Sequence, residues 1–250
     1  MAPSHLRALA DRLSEHYRVL LFHLSGYGRS APLEPYSLQR SLETIEQEIE
    51  ARRLGEVHLV GVGAGGYRAL ALSGSRRIRA RSVCMLGGFA SLDASEKMRL
   101  AAFADMLRAG VDRRLLVEAM LSPRGESGTP HRFEVERWAA SVSHEYLSRE
   151  VEAFIEAPGL CGMLDGLRAP VMMRVGTLDA TVALENMRRV AAASRVTLEE
   201  VEGAGHALLC DDFEATVSSV ETFLATATPS RPSGIESTVT ERLRAKGYWR

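Results

Sequence analysis

The sequence predicts an α/β protein with a mostly parallel sheet and helices on both faces. Two observations lead to this prediction. Short apolar runs of strand length alternate with amphipathic segments at helical spacing, which is typical of parallel strands joined by helices. The 250-residue chain is also 46% hydrophobic and 25% charged, an ordinary composition for a globular protein with a large core.

The first part of the chain supplies these elements in alternating order. An amphipathic helix is predicted over residues 5–16, and the β-branched and aromatic run Tyr17–Leu24 predicts a strand that ends in a loop rich in Gly and Pro. A second amphipathic helix is predicted over Leu38–Arg53. The stretch Val57–Ser73 then predicts a buried strand, a glycine-packed turn and the start of a helix, and Arg81–Gly88 predicts another buried strand.

The alternation stops after this strand. Between Ser91 and Leu167 only helical patterns occur, separated by Gly, Pro and Ser. A strand returns at Ala169–Gly176, followed by a helix, a last strand with its turn within Val196–His206, and a closing helix with an acidic start. The predicted domains are a core of residues 1–90 and 167–227, a helical cap of residues 91–166, and a tail of residues 228–250 without assigned chemistry.

Charge and cysteine content narrow the classes of partner. The 31 basic and 32 acidic residues nearly cancel and the basic ones are dispersed, so neither a nucleic acid nor an anionic membrane is an expected partner.

The three cysteines, Cys84, Cys161 and Cys210, are far apart and in apolar surroundings, which favours reduced thiols over disulfides. With no signal-peptide pattern and no membrane-length apolar run, we expect a cytoplasmic protein. Nothing in the sequence indicates an oligomeric state.

The glycine turn in Val57–Ser73 fits two motifs. Gly61, Gly63 and Gly66 satisfy the G-x-G-x-x-G of a dinucleotide-binding turn. Gly61, Gly63 and Gly65 satisfy the G-x-S-x-G of a hydrolase nucleophile elbow in everything except the serine. The dinucleotide motif needs an acid at the end of the next strand, where Leu86, Gly87 and Gly88 stand, so this interpretation is the less favoured of the two.

Three further landmarks accompany the turn. The loop Leu24–Ser30 follows the first predicted strand and is similar to D-x-x-G-x-G-x-S, with His23 in place of the usual Asp. The segment Gly176–Asp179 spells G-x-x-D after a strand, and Gly203–His206 spells G-x-G-H after the last strand. The segment Leu59–Gly66 aligns without gaps with L-V-G-H-S-M-G-G, a common form of the hydrolase elbow. With these landmarks the chain resembles the α/β-hydrolase superfamily, specifically its cap-bearing esterases, lactonases and C–C hydrolases.

The resemblance implies an α/β-hydrolase fold with Asp179 as acid and His206 as base. It also implies that Gly63 occupies the nucleophile position, where glycine has no side chain to form an acyl-enzyme. The backbone N–H of Ala64 is the oxyanion donor that remains recognisable, and Ser25 and Val62 are candidate pocket residues. In the family, strands and a His-Gly loop precede the first helix, so we expect N-terminal strands and a second oxyanion donor to be missing.

Other side chains have plainer interpretations. Asp179 could instead cap the following helix, and His206 could be a loop histidine satisfied by backbone groups. We do not expect another side chain to replace the missing serine nucleophile. The candidates Ser25, Ser30 and Cys84 do not lie at a sharp turn that would orient them towards His206. The remaining candidate histidines are interpreted as structural or surface residues without metal-ligand spacing: His23, His58, His131 and His144.

The leading functional prediction is a hydrolase-like protein that retains the His206–Asp179 pair over a vacant nucleophile position. It would bind a small, partly apolar carbonyl compound of the ester, lactone or diketone type under the cap, with no cofactor and no metal. Covalent hydrolysis would be lost or impaired.

Four alternatives stay open. The first is a non-covalent enzyme with His206 as general base. The second is a non-catalytic binding protein, similar at Gly61–Tyr67 to the N-myc-downstream-regulated proteins. The third is a dinucleotide-binding domain, and the fourth is a shortened, degraded or deliberately altered hydrolase.

Overall fold

A computed structural model describes residues 4–27, 30–122 and 130–227, and these contain four strands and eleven helices. The strands are β1 (Glu56–Val62), β2 (Arg79–Leu86), β3 (Val171–Gly176) and β4 (Val196–Val201). The helices are α1 (Ser4–Leu13), α2 (Leu38–Ala51), α3 (Ala64–Ser73), α4 (Ala94–Arg108), α5 (Arg113–Met120), α6 (Pro130–Ser141), α7 (His144–Glu156), α8 (Cys161–Leu164), α9 (Leu184–Ala192), α10 (Leu208–Asp211) and α11 (Phe213–Thr226).

The four strands form one parallel sheet in the order β1-β2-β3-β4. In the centre of the sheet, Val83 of β2 is opposite Val171 of β3, and Cys84 is opposite Met172. The predicted parallel α/β architecture is therefore confirmed.

Helices cover both faces of the sheet because successive strand residues point to opposite sides. Val83 and Met85 pack on one face with apolar residues of α2, α3 and α9. Cys84 and Leu86 pack on the other face with α1, α10 and α11. All four of these side chains are completely buried, as expected for a central parallel strand.

The strand predicted at Tyr17–Leu24 is wrong. Residues 18–24 form no regular secondary structure, and within the described part of the chain β1 pairs with β2 alone. A run of aromatic and β-branched residues becomes a strand only where a neighbouring strand supplies hydrogen bonds and a packing surface. Here no described strand pairs with the run, and Val19 and Leu20 are exposed.

Helices α4, α5, α6 and α7 occupy the segment between β2 and β3, as the helical patterns predict. The first of them begins where Asp93 caps it: its carboxylate accepts the Glu96 N–H at 2.9 Å, and Glu96 Oε2 accepts the Asp93 N–H at 2.8 Å. No helix among the described residues is long and apolar enough to cross a membrane. The tail predicted for residues 228–250 lies outside the described residues.

Candidate active site

The turn between β1 and α3 consists of Gly63, whose backbone has φ 54° and ψ −127°. A residue with a side chain is strained at this positive φ, at a cost of about 1–3 kcal/mol. Gly61 is required for a different reason, since a Cβ there would collide with the carbonyl oxygen of Gly65. The glycines at 61 and 63 therefore let the chain reverse sharply from the strand into the helix.

His206 lies directly opposite this turn. A Cβ built on Gly63 would be 3.1 Å from His206 Nε2, so a side chain at position 63 would touch the imidazole. The two residues come together because β1 and β4 are parallel strands of one sheet, and the segments after their carboxyl ends reach the same edge.

Asp179 holds the other side of the His206 ring. His206 Nδ1 lies 2.9 Å from Asp179 Oδ2. An ionised carboxylate can only accept, so the hydrogen is on Nδ1, and Nε2 presents its lone pair towards Gly63 in the neutral ring. The structure thus brings together Asp179, His206 and Gly63, three residues that the sequence analysis singled out.

The Asp179 carboxylate is fixed by its own loop. Its Oδ1 accepts the N–H groups of Thr181 at 2.8 Å and Val182 at 2.9 Å, and its side chain is completely buried. The N-cap of α9 is Ala183, so Asp179 does not cap that helix. One oxygen of Asp179 therefore shapes the loop while the other binds His206.

Glu96 links this loop to α4. Its Oε1 accepts the Ala183 N–H at 2.8 Å, and its Oε2 accepts from Asn186 Nδ2 at 2.6 Å. The Glu96 side chain is completely buried, and it is not among the site residues predicted from the sequence. A capping-box pattern predicts a helix start, but it gives no sign of the partners that fold onto it from residues 183–186.

The loop that carries His206 is attached to α5. Asp211 Oδ2 accepts the Gly205 N–H at 2.6 Å and the Ser122 N–H at 3.3 Å, and the Ala207 N–H donates to the Met120 carbonyl at 2.8 Å. From the sequence, Asp211 is predicted only to belong to the acidic start of the closing helix. Its carboxylate instead joins the His206 loop to the end of α5.

The environment of His206 raises the pKa of its imidazole. Burial alone lowers this pKa from 6.5, but the charge of Asp179 and the hydrogen bond to it outweigh burial. Because the pKa is higher in the folded state, the protonated form stabilises the fold. This contribution is fully present below pH 6.5 and is lost as the pH rises through the raised pKa.

The Asp179→Asn variant is expected to lower the His206 pKa below that in the unsubstituted protein, because burial remains while the carboxylate charge is removed. Proton NMR titration of the His206 ring measures this change. The Asp165→Asn variant, which removes an exposed carboxylate, is the control and should leave the pKa unchanged. Equal His206 pKa values in the Asp179→Asn and unsubstituted proteins would contradict the electrostatic coupling.

A cavity of about 740 Å³ opens above the turn. Its wall includes Val62, Gly63, Ala64 and His206, together with apolar side chains of the helices between β2 and β3. This volume falls in the range of about 300–1,000 Å³ that is usual for small-molecule sites. Ala64 begins α3, so its N–H has no acceptor within the helix.

Ser25 and Ser30 both donate their hydroxyl groups to backbone carbonyls of their own loop. Ser25 Oγ donates to the Ala31 carbonyl at 3.3 Å and accepts from the Tyr146 hydroxyl at 3.2 Å, and Ser25 is not among the described cavity-lining residues. Ser30 Oγ donates to the His23 carbonyl at 2.7 Å. The Gly28 and Arg29 of this loop lie outside the described residues.

Cys84 is completely buried within β2. Burial raises the pKa of its thiol, so the thiol stays protonated near neutral pH. A protonated, enclosed thiol is a structural side chain and not an activated nucleophile.

The other histidines have separate environments. His58 Nδ1 lies 2.7 Å from Ser82 Oγ, and His144 begins α7. His23 contributes to the cavity wall, which the sequence analysis did not anticipate. The side chain of His131 lies outside the described residues. No group of three or more His, Cys, Asp or Glu side chains that could hold a metal occurs in the described part of the chain.

Comparison with known families gives one match over most of the chain: the model of the alpha/beta hydrolase family aligns with residues 2–218. A search of curated protein sequences finds no match.

Solved structures extend this comparison. A thermophilic esterase from Thermogutta terrifontis superposes with a TM-score of 0.78 at 19% identity, covering 90% of this chain and 86% of the esterase. The enol-lactonase from Burkholderia xenovorans LB400 superposes with a TM-score of 0.76 at 20% identity, covering 89% of this chain and 86% of the lactonase. MenH from S. aureus gives a TM-score of 0.73 at 14% identity, with 89% of each chain covered. At these identities the likeness shows the fold alone.

Proposed function

The chain belongs to the α/β-hydrolase family, and from this premise we propose that it binds a small, partly apolar carbonyl compound above Gly63 without forming an acyl-enzyme there. One observation carries the proposal. His206 Nε2 lies 3.1 Å from where the Cβ of residue 63 would be, and residue 63 has no side chain. His206 and Asp179 would serve as the partners of a nucleophile at this position, and glycine supplies no atom that could attack a carbonyl carbon.

The composition of the cavity wall supports a carbonyl ligand. Ala64 offers a backbone N–H at the N-terminus of α3, which suits a polarised carbonyl oxygen. Phe89, Phe103 and Phe154 are among the residues that give the rest of the wall its apolar character. We propose that residues 91–166 act as the cap that shields this cavity. The fold is similar to that of an esterase and of an enol-lactonase, and esters and lactones both contain a carbonyl group. We propose the same chemical class of ligand for this chain, but not either enzyme's activity.

A second candidate function is general-base catalysis, which the Asp179–His206 hydrogen bond favours. With no side chain at Gly63, the lone pair of His206 Nε2 faces open space that fits a water molecule or an acidic C–H of the ligand. His206 would take the proton there, and Asp179 would stabilise the imidazolium. General-base catalysis of this kind is worth roughly 10²–10⁴-fold in rate.

The test of the proposed function uses p-nitrophenyl butyrate with the full-length protein. We expect saturable binding by rapid calorimetric titration, no burst of p-nitrophenolate and no butyryl adduct in the intact mass, because position 63 cannot be acylated. A stoichiometric burst with a butyrylated side chain would contradict the loss of covalent chemistry, and absence of binding would contradict the ligand class.

The His206→Ala variant separates binding from general-base catalysis. If the unsubstituted protein turns the ester over slowly, we expect the rate to fall to the uncatalysed level in the variant while the ester still binds. The rate in the unsubstituted protein should rise with pH through the His206 pKa, since only the neutral ring accepts a proton. An unchanged rate in His206→Ala would exclude His206 as the base.

A further inference from the structure

The loop that carries His206 is held on two sides. On the side of the sheet, the Leu178 N–H donates to the Ala204 carbonyl at 2.9 Å, which ties the loop to the segment that follows β3. The two neighbours of His206, Gly205 and Ala207, donate their N–H groups to acceptors outside the sheet. The position of His206 therefore depends on a second support besides the sheet.

Asp211 and α5 form this second support. Asp211 Oδ2 accepts the Gly205 N–H at 2.6 Å, and it accepts the Ser122 N–H, just after α5, at 3.3 Å. The Met120 carbonyl of α5 accepts the Ala207 N–H at 2.8 Å. One carboxylate oxygen thus bridges the loop and the end of the helix, and a direct backbone hydrogen bond lies beside it.

The loop and the end of α5 are also closely packed. A Cβ on Gly205 would be 2.8 Å from the Ser122 backbone nitrogen and 3.0 Å from the Leu121 carbonyl carbon, so the two backbones are in direct contact. Ala207 belongs to the same apolar cluster as Val117 of α5, which is 3% exposed. Because closely packed groups move together, a shift at the end of α5 displaces Gly205 and Ala207 as well.

Helix α5 is at the same time a wall of the cavity. Its residues Leu116, Ala119 and Met120 line the cavity together with Gly63 and His206. The helix that a ligand in the cavity would contact is therefore the helix that supports the His206 loop.

We infer that Asp211 is a positioning residue: through its carboxylate, α5 and the sheet together set the place of His206 opposite Gly63. Asp211 is not among the described residues that line the cavity, so it acts through the His206 loop and not on a ligand. The inference concerns the geometry of His206, so it goes beyond the proposed function and does not depend on the identity of the ligand.

The test compares Asp211→Ala with Asp211→Asn by NMR of the full-length protein labelled with ¹⁵N-histidine. Asparagine keeps an oxygen that can accept the two N–H groups but carries no charge, whereas alanine removes the acceptor. Burial lowers the pKa of the His206 imidazole and the charge of Asp179 raises it, so a ring that moves away from Asp179 has a lower pKa. We expect a lower pKa of His206 and a weaker downfield signal of its Nδ1–H in Asp211→Ala, and retention of both in Asp211→Asn.

Two results of this comparison would overturn the inference. An unchanged pKa and signal in a folded Asp211→Ala protein would show that the sheet alone places the His206 ring. An equal fall of the pKa in both variants would show that the charge of Asp211 acts on the ring directly, without positioning it.

Val117→Ala decides the question if Asp211→Ala does not fold. It leaves the hydrogen-bonding groups of the His206 loop in place and removes apolar contacts in the cluster that α5 shares with Ala207. The pKa of His206 should fall here too, because the loosened helix no longer holds the loop. Leu115→Ala is the matched control on α5, since Leu115 is 53% exposed, and it should leave the pKa unchanged. Equal pKa values in these two variants would overturn the inference.

A Gly63→Ser protein gives a kinetic measure with p-nitrophenyl butyrate. Adding Asp211→Ala to it should lower kcat about 10–100-fold and leave KM within about twofold, because a displaced imidazole takes the hydroxyl proton poorly. Adding Asp211→Asn should retain most of kcat. A change confined to KM would overturn the positioning role. If Gly63→Ser gains no rate, the NMR comparison still decides the inference, which therefore stands or fails separately from the proposed function.

Discussion

The Gly63→Ser variant is expected to hydrolyse p-nitrophenyl esters at least about 100-fold faster than the unsubstituted protein. The Cβ of residue 63 would lie 3.1 Å from His206 Nε2, so the serine hydroxyl would be within reach of a base that Asp179 already orients. His206 would take the hydroxyl proton as the oxygen attacks the carbonyl carbon. Steady-state release of p-nitrophenolate measures the gain, and a butyryl adduct on the introduced serine, found by mass spectrometry, identifies the intermediate.

The same substitution is expected to lower stability. A serine at φ 54° adopts a strained conformation, and its Cβ is closer to the imidazole than most packed contacts allow. The expected loss is about 1–3 kcal/mol in the free energy of unfolding, which urea denaturation measures. Glycine at position 63 therefore relieves strain that a nucleophile at this turn would impose.

Two control variants isolate the hydroxyl group. Gly63→Ala adds the same Cβ and the same strain without an oxygen, so it should match the stability of Gly63→Ser and show no gain in rate. Gly63→Ser combined with His206→Ala should lose most of the gain, because the serine then has no base. A folded Gly63→Ser protein that is no faster than Gly63→Ala would exclude a hydrolase whose missing part is the serine alone.

The size of the gain also reports on the oxyanion site. The Ala64 N–H is the oxyanion donor that we propose, and loss of one such donor costs about 10²–10³-fold in kcat where it has been tested by substitution. A gain near 100-fold would therefore fit a restored nucleophile with the Ala64 N–H as its single oxyanion donor. A much larger gain would indicate that another N–H group supplies the second donor.

The sequence predicts the fold correctly where a residue pattern is compatible with only one kind of secondary structure. Val83 to Leu86 are apolar without interruption because both faces of β2 are covered, and such a run predicts a buried parallel strand. The meeting of Asp179, His206 and Gly63 was predictable because each follows a strand, and the carboxyl ends of parallel strands share one edge of the sheet.

The remaining features depend on partners that are distant in the chain. Tyr17–Leu24 has the composition of a strand but no described strand to pair with, which the run itself does not reveal. Asp211 and Glu96 look like residues of helix starts, and only the folded chain shows which backbone N–H groups they accept. Arg68 has its ion-pair partner 82 residues away in a different helix, so sequence patterns within α3 give no sign of it.

The Glu150→Leu variant is expected to lose about 3–5 kcal/mol of the free energy of unfolding, the usual cost of leaving a buried charge without its partner. The substitution leaves the Arg68 cation enclosed without its carboxylate, and it removes the acceptor of the Tyr27 and Tyr36 hydroxyls. Urea denaturation measures the loss. Glu152→Leu is the matched control, because Glu152 is on the same helix α7 and pairs with Arg108 at the exposed surface. That loss should be below about 1 kcal/mol.

Arg68→Met combined with Glu150→Leu distinguishes the cost of an unpaired charge from the value of the pair. Replacing both members of a buried pair by apolar residues is often neutral or stabilising, so the double variant should be more stable than Glu150→Leu alone. Equal losses in the double and single variants would show that the two side chains do not interact. If removing both charges restores stability, the buried pair is not required for folding.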